Sequence, residues 1–113
     1  MRPPRRLVIR VCLNEAGVAS VPLRPGERAR RLTAPMVADA LERLAAERGL
    51  QAHVRVSRTC AGGCSGPGPN VSVAIYPPRR PGEPEDHVAI GWRTYIGALP
   101  DLRHLRQIID ENV

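Results

Sequence analysis

The sequence contains no phenylalanine and no lysine, and it has only one tryptophan and two tyrosines among 113 residues. A core must therefore be built from Val, Leu, Ile and Ala, which are plentiful. No run reaches the roughly 18 apolar residues of a membrane-spanning helix, and the apolar stretch near the N-terminus is too short for a signal peptide. We expect a single domain over residues 1–113, in the cytoplasm and without a membrane partner.

Recognisable catalytic motifs are missing as well. The chain has no G-x-S-x-G, no phosphate-binding loop, no C-x-x-C pair of the thioredoxin kind, and no histidine next to a cysteine in sequence. We therefore expect a protein that is not an enzyme. RNP aromatics, a helix-turn-helix and zinc-finger spacing are also absent, so nucleic acid is not expected as a partner.

Positive charge is concentrated in the first part of the chain. All 17 basic residues are arginines, against 11 acidic residues. Residues 1–31 hold eight of these arginines and two glutamates, so the whole net charge of +6 lies there. Such a segment can be a solvated face, can attract an acidic partner protein or can contact phosphate.

Hydrophobic periodicity predicts four strands and two main helices. The strands are expected at 7–12, 51–57, 71–77 and 87–92. Helical spacing over 33–50 predicts a helix with Thr33 as N-cap and Gly49 at its C-terminal end. A second apolar stripe predicts a closing helix over 100–113. Residues 13–31 have no sustained period and predict one long loop.

The order of these elements predicts an α/β fold. A strand, helix, strand sequence favours a right-handed parallel crossover, and the short connection between the last two strands favours an antiparallel hairpin. The resulting β-α-β-β-β-α order, a four-stranded mixed sheet with two main helices, is that of a minimal thioredoxin-like fold.

The three cysteines are the main candidate site. Cys60 and Cys64 are four residues apart in the glycine-rich stretch "CAGGCSGPGP", and Cys12 ends the first strand. Because loops that follow parallel strands lie at the same end of a sheet, we expect the three thiols to converge. Hydroxyls nearby in sequence could donate hydrogen bonds to bound sulfur: Ser57, Thr59 and Ser65. Thiols that a reducing cytosol keeps unpaired favour a metal, cluster or redox role.

The segments "VIRVCLNEAG", "TCAGGCSGPGPNVSVAIYPP" and "DLRHLRQIIDENV" resemble the thioredoxin-like 2Fe–2S ferredoxins of the Shethna type, in order and spacing over nearly the whole chain. The resemblance implies a thioredoxin-like fold, a 2Fe–2S cluster near the surface, a homodimer and electron transfer to a redox protein partner. By position, Cys12 matches the first cluster ligand, and Cys60 and Cys64 match the third and fourth.

The chain departs from this family at the second ligand. The corresponding stretch "SVPLRPGE" contains no cysteine. A non-cysteine residue could complete the site, with Asn14, Glu15, Ser20 and the loop arginines local by sequence, or one iron position could be open to a small molecule or a partner. The alternatives are zinc, thiol redox chemistry through Cys60 and Cys64, or a cluster-free accessory or assembly protein that binds its partner through the Arg-rich N-terminal surface.

Other residues have simpler interpretations. The glycines and prolines after Cys60 can serve only a tight turn, and Cys12 alone can be a buried core thiol. Trp92 and Tyr95 are expected to pack on the hairpin or at a dimer contact rather than on a cofactor. The three histidines are expected at the surface: His53, His87 and His104.

Overall fold

A computed structural model describes residues 3–14, 17–60, 68–78, 81–82, 84 and 88–113. Within these residues six strands, two α-helices and one 3₁₀ turn follow each other along the chain. They are β1 (Arg6–Val11), β2 (Ala19–Val21), β3 (Arg30–Leu32), α1 (Ala34–Glu47), β4 (Val54–Ser57), β5 (Val71–Tyr76), β6 (Gly91–Tyr95), the 3₁₀ turn (Leu99–Asp101) and α2 (Gln107–Asp110).

Four of the strands form one mixed sheet in the order β4-β1-β5-β6. β1 and β4 run parallel, whereas β5 is antiparallel to both β1 and β6. The predicted parallel crossover and the predicted hairpin of the last two strands are therefore confirmed. The protein is a mixed α/β structure with a four-stranded mixed sheet and two helices.

The core is aliphatic, as the composition requires. Alternate residues of β1 (Leu7, Ile9 and Val11) are at most 1% exposed, and they form one buried cluster with Leu41 and Leu44 of α1. β1 is hydrogen-bonded to β4 on one side and to β5 on the other. Helix α1 packs on the face of β1 that carries these apolar side chains.

Helix α1 begins and ends close to the predicted positions. Thr33 is the N-cap residue, and its backbone carbonyl accepts the hydrogen bond from the Val37 N–H at 2.9 Å. Pro35 stands in the first turn, where its missing N–H costs no helical hydrogen bond. Gly49, just past the C-terminus, has φ of +67°, a conformation that a side chain disfavours.

The prediction of one long loop over 13–31 is wrong. Part of this segment forms the hairpin of β2 and β3, in which Ala19 pairs with Leu32 and Val21 pairs with Arg30. Val21 and Leu23 are buried, so the hairpin closes one end of the core. Each strand has only three residues, too few for the period-2 alternation that identifies a strand in a sequence.

The predicted closing helix over 100–113 is also wrong in extent. After the 3₁₀ turn, Leu102 is extended (ψ of 146°), and α2 has only four residues. The Leu105 and Arg106 N–H groups donate to the carbonyls of Pro22 and Leu23 at 2.7 and 3.1 Å. These hydrogen bonds dock the segment on the chain after β2 and replace the intrahelical bonds of a longer helix.

The last strand begins later than predicted, at Gly91 instead of residue 87. Its register with β5 places Tyr95 opposite Val71, where Tyr95 is buried. Val88 and Ile90, the apolar residues that suggested the earlier start, are both more than half exposed. Among the described residues, no helix combines the length and the apolar character needed to cross a membrane.

Candidate functional site

The C-terminal ends of β1 and β4 lie side by side at one edge of the sheet. Arg10 pairs with Ser57 in the parallel register, so Cys12 follows β1 and Cys60 follows β4 on the same side. β5 starts at this edge too, with Val71 opposite Val11. The topology thus contains the parallel pairing on which the predicted convergence of the three thiols depends. Cys64 lies outside the described residues.

Cys12 is held in the interior at this edge. It is only 2% exposed, and its backbone N–H donates to the carbonyl of Asn70 at 3.2 Å. This bond extends the β1–β5 pairing by one residue beyond Val11. The position of Cys12 is therefore set by the backbone of the sheet.

Asn70 connects three segments at the same edge. Its backbone carbonyl binds Cys12, and its side-chain Oδ1 accepts a hydrogen bond from the Gly97 N–H at 3.3 Å. Asn70 is 5% exposed, one of two polar residues buried in the described part of the chain. Sequence reasoning missed this residue, because an asparagine before a strand is by itself only a turn signal.

Cys60 differs from Cys12 in being exposed. The chain leading to it is anchored to α1 by Arg58, whose guanidinium contacts the carboxylates of Glu42, at 2.6 Å, and Asp39. The guanidinium donates a hydrogen bond to each carboxylate, and these bonds, with the one to Glu42 as the larger cause, raise the pKa of Arg58. An exposed ion pair of this kind stabilises the fold only slightly, but it orients the end of β4.

The predicted hydroxyl donors show a different arrangement. Ser57 Oγ and Thr59 Oγ1 lie 2.9 Å apart and share a hydrogen bond with each other. Ser65, the third predicted donor, lies outside the described residues. The two described hydroxyls therefore flank Arg58 as a pair at the end of β4.

Two glycines bring the chain after β1 against the chain before β5. Gly17 has φ of +135°, and a Cβ placed on it would lie 2.9 Å from the backbone nitrogen of Gly68. Any side chain at Gly17 would clash there, so this close approach requires glycine. An open groove of about 260 Å³ runs beside the contact, lined by Val18, Pro69 and Leu99 among others.

The stretch in which a second cysteine ligand was sought forms β2 and the turn after it. Val21 and Leu23 face the core, and Arg24 contacts Glu27 at 2.9 Å and also Glu47. Hydrogen bonds to Glu47 and Glu27 raise the pKa of Arg24 well above its ordinary value. Ser20 is exposed, as is Asn14, while Glu15 lies outside the described residues.

Within the described ranges, which omit Cys64, no group of three or more His, Cys, Asp or Glu residues could hold a metal ion. His53 precedes β4, at the end of the strand away from Cys60, and its carbonyl accepts the Leu7 N–H at 2.8 Å. His87 lies outside the described residues. His104 is partly buried rather than fully at the surface, and its Nδ1 has no hydrogen-bond partner.

The two aromatic residues of β6 have opposite environments. Tyr95 is buried, and its hydroxyl binds Glu111 and accepts a hydrogen bond from Asn112 at 3.0 Å. Tyr95 thus packs as expected. Trp92 is 70% exposed, so it does not pack against the hairpin, and its role at a dimer contact stays a prediction.

Three exposed arginines lie around β3: Arg28, Arg30 and Arg31. None of the three forms an ion pair with another described residue, in contrast to Arg24. The basic N-terminal segment therefore includes positive charge that the described acidic residues do not neutralise.

Comparisons with known proteins add no relative to this picture. No family model matches the chain, and neither a curated protein nor a solved structure does.

Proposed function

We propose that this protein is a ferredoxin-like electron carrier that binds an iron–sulfur cluster of the 2Fe–2S type through Cys12, Cys60 and Cys64, with a fourth ligand that is not cysteine. The observation that carries the proposal is the shared edge of the sheet. The parallel pairing of β1 with β4 brings the segments of Cys12 and Cys60 together although 48 positions separate them.

The arrangement of strands supports a thioredoxin-like fold of the Shethna ferredoxin type. The order β4-β1-β5-β6, with a parallel pair followed by two antiparallel neighbours, is the order of a minimal thioredoxin-like sheet. In this fold the segments that carry the cysteines follow the first strand and its parallel neighbour. The proposal therefore rests on topology and on residue type.

The donor set fits a thiolate-bound centre that lacks one protein thiolate. Cys12 would supply a buried ligand fixed by the backbone of Asn70, and Cys60 a ligand open to the surface. The close contact of Gly17 with Gly68 brings the segment after Cys12 to the chain that follows Cys64. Asn14, Glu15 and Ser20 are the side chains of that segment with oxygen donors for the remaining position, and a small molecule is the other source.

A 2Fe–2S cluster held there supplies one-electron transfer. The protein's own residues bind and orient it, and the exposed side at Cys60 leaves a short path to a partner. The unneutralised charge of Arg28, Arg30 and Arg31 suits a redox partner with an acidic surface. A homodimer is part of the same proposal.

A second candidate function is that of a zinc-binding or cluster-free accessory protein. The burial of Cys12 favours it, because a 2%-exposed cysteine beside Val11 is also what an ordinary core thiol looks like. In that case the arginines around β3 would be the contact surface for a partner, and the cysteines would have no role in electron transfer.

Visible absorption of anaerobically purified protein separates the two functions. The electron carrier is brown, bleaches when dithionite reduces it, and loses both properties in the Cys60→Ser variant. The accessory protein stays colourless even after reconstitution with iron and sulfide. The Ser20→Ala variant tests the fourth position, and a loss of colour there would identify Ser20 as the fourth ligand.

A further inference from the structure

The four-stranded sheet has two different faces. Side chains alternate along each strand, so Leu7, Ile9 and Val11 point into the core while Arg6, Val8 and Arg10 point to the opposite side. The apolar face packs in one cluster with α1 and with Ile108 of α2. Both helices therefore cover the same face, and the described residues place no helix on the other.

The strand register shows what this uncovered face carries. Residues that pair directly across neighbouring strands project on the same side, which gives three rows. We call these rows the open face. They are Arg55, Val8, Ala74 and Trp92; then Ser57, Arg10, Ser72 and Thr94; then Arg6 and Tyr76.

The open face is accessible and partly apolar. Trp92 is 70% exposed, and Ile90, which directly precedes β6, is 59% exposed, whereas the small Ala74 is the one residue of the three rows that is buried. The guanidinium of Arg6 lies 5.4 Å from the centre of the Tyr76 ring, which is the distance of a cation–π contact. A large exposed aromatic side chain next to other apolar groups marks a contact surface.

The charge of the open face has one sign. Arg6, Arg10 and Arg55 project from it, and no strand position in the three rows is acidic. On the helical side three arginines are paired with carboxylates: Arg48 and Arg106 contact Asp110, and Arg58 contacts Asp39 and Glu42. Arg10 and Arg55 have no such partner among the described residues, so their charge is directed at the solvent.

An open groove of about 430 Å³ follows the arginines across this face. Its lining includes Arg6, Arg10, Arg55 and Tyr76, together with Gln51 and His53. Tyr76 is in this lining, whereas Trp92 lies outside the groove on β6. Cationic groups and exposed aromatic rings on one face are the two components of a site for single-stranded nucleic acid, because guanidinium groups bind phosphates and rings stack on bases.

We infer that the open face binds single-stranded nucleic acid without strong sequence preference. The arginines of β1 and β4 contact the phosphate backbone, and Trp92 and Tyr76 stack on successive bases. An acidic protein would satisfy the arginines, but it would leave the exposed ring of Trp92 without a matching flat partner. The occupant that uses both features is therefore a polyanion with exposed aromatic bases.

This inference differs from the expectation drawn from the sequence, which lacked every common nucleic-acid motif. The two rings lie 16 positions apart and four different strands supply the arginine and aromatic side chains, so no short motif contains them. They share a face only through the β1–β4, β1–β5 and β5–β6 registers. The inference does not depend on the proposed electron transfer, because it uses none of the cysteines, although the row with Arg10 and Ser57 reaches the edge that carries them.

Trp92 itself provides the test, because it is the only tryptophan of the chain. Titration with an oligothymidylate of about 12 nucleotides should quench its fluorescence in a saturable way. Inorganic polyphosphate, which offers the charge without bases, should bind more weakly and quench little. Quenching by the oligonucleotide alone supports stacking on the open face, and equal effects of the two polyanions would overturn it.

Variants locate the site, with a labelled oligonucleotide and fluorescence anisotropy as the measurement. Trp92→Leu should weaken binding by roughly 5- to 150-fold, while Trp92→Phe keeps most of the affinity. Arg10→Ala and Arg55→Ala should each weaken binding and lower the slope of log Kd against log salt by about 0.7. Arg43→Ala, on the exposed side of α1, removes the same charge and should change neither quantity.

A second copy of the chain is the other possible occupant of the open face, and the oligomeric state distinguishes it from nucleic acid. Sedimentation of the wild type and of Trp92→Leu measures it. If Trp92→Leu converts a dimer to a monomer and the wild type binds no oligonucleotide, the open face is a dimer interface and the inference is wrong. Binding that Arg43→Ala weakens as much as Arg10→Ala does would also overturn it.

Discussion

Replacing Asn70 tests whether the edge that carries Cys12 is organised as described. In Asn70→Ala the Gly97 N–H loses its side-chain acceptor, while the backbone bond from Cys12 to residue 70 remains. A buried donor without a partner costs about 1–3 kcal/mol. Because the lost bond is 3.3 Å long and only partly buried, we expect the lower half of that range, about 1–2 kcal/mol.

Urea unfolding followed by far-ultraviolet circular dichroism measures this change directly. The midpoint should fall with an unchanged m-value, and the melting temperature should drop by about 4–8 °C for a domain of this size. Asn14→Ala, measured like Asn70→Ala on the metal-free protein, is the matched control, since Asn14 is exposed and close to Cys12 in sequence. It should change the free energy of unfolding by less than about 0.5 kcal/mol. If Asn70→Ala itself loses less than about 0.5 kcal/mol in the free energy of unfolding, the connection of the three segments by Asn70 does not stabilise this edge, and the reasoning is refuted.

Two further predictions concern the thiols and the buried tyrosine. Cys60→Ser should abolish metal binding and leave the free energy of unfolding of the metal-free protein within about 0.5 kcal/mol, because Cys60 is exposed. Full metal content in Cys60→Ser would exclude Cys60 as a ligand. Cys12→Ser, in contrast, buries a hydroxyl at a 2%-exposed position and should lower the free energy of unfolding by about 1–3 kcal/mol even without metal. Burial, with the Glu111 hydrogen bond as the next cause, raises the pKa of Tyr95 to about 12 from 10.0. The folded state therefore holds this proton more tightly than the unfolded state does, and the stability it contributes is complete below pH 10 and is lost as the pH rises towards 12. Urea melts across this window should show the decline in the wild type and a smaller decline in Tyr95→Phe, and identical pH profiles would contradict the assignment.

The parts of the fold that could be predicted from the sequence are those with sustained periods. β1 has alternating apolar residues, and α1 has 14 residues with apolar positions at helical spacing between Thr33 and Gly49. The strand, helix, strand order predicted the parallel pairing. That pairing in turn predicted a common edge of the sheet for Cys12 and Cys60. Long elements of this kind determine their own structure locally, which is why the sequence alone identifies them.

The β2–β3 hairpin and the short α2 could not be predicted in this way. Each strand of the hairpin has three residues, and its pairing depends on contacts with distant segments. The apolar side chains of Leu105, Ile108 and Ile109 are buried as they would be in a longer helix. The N–H groups of residues 105 and 106, however, bond to the carbonyls of Pro22 and Leu23, so the helix does not extend N-terminally through them. Tertiary contacts thus override the local pattern.

The same distinction applies to the sites. The cysteines are visible in the sequence because their chemistry is rare, whereas Asn70 is an ordinary turn residue until its partners Cys12 and Gly97 are known. The open face has no sequence signature, because Arg55 and Trp92 come into one row only through three cross-strand registers. Register is a property of paired strands that no single segment contains.

The most direct test of the central proposal is the content of iron, acid-labile sulfide and zinc in protein purified without oxygen. The 2Fe–2S assignment predicts about two irons and two sulfides per chain, or per dimer if two chains share one cluster, with little zinc. The Cys60→Ser variant, purified in parallel, should contain neither iron nor sulfide. Wild-type protein that holds zinc alone, or that holds no metal after reconstitution with iron and sulfide, would contradict the proposal.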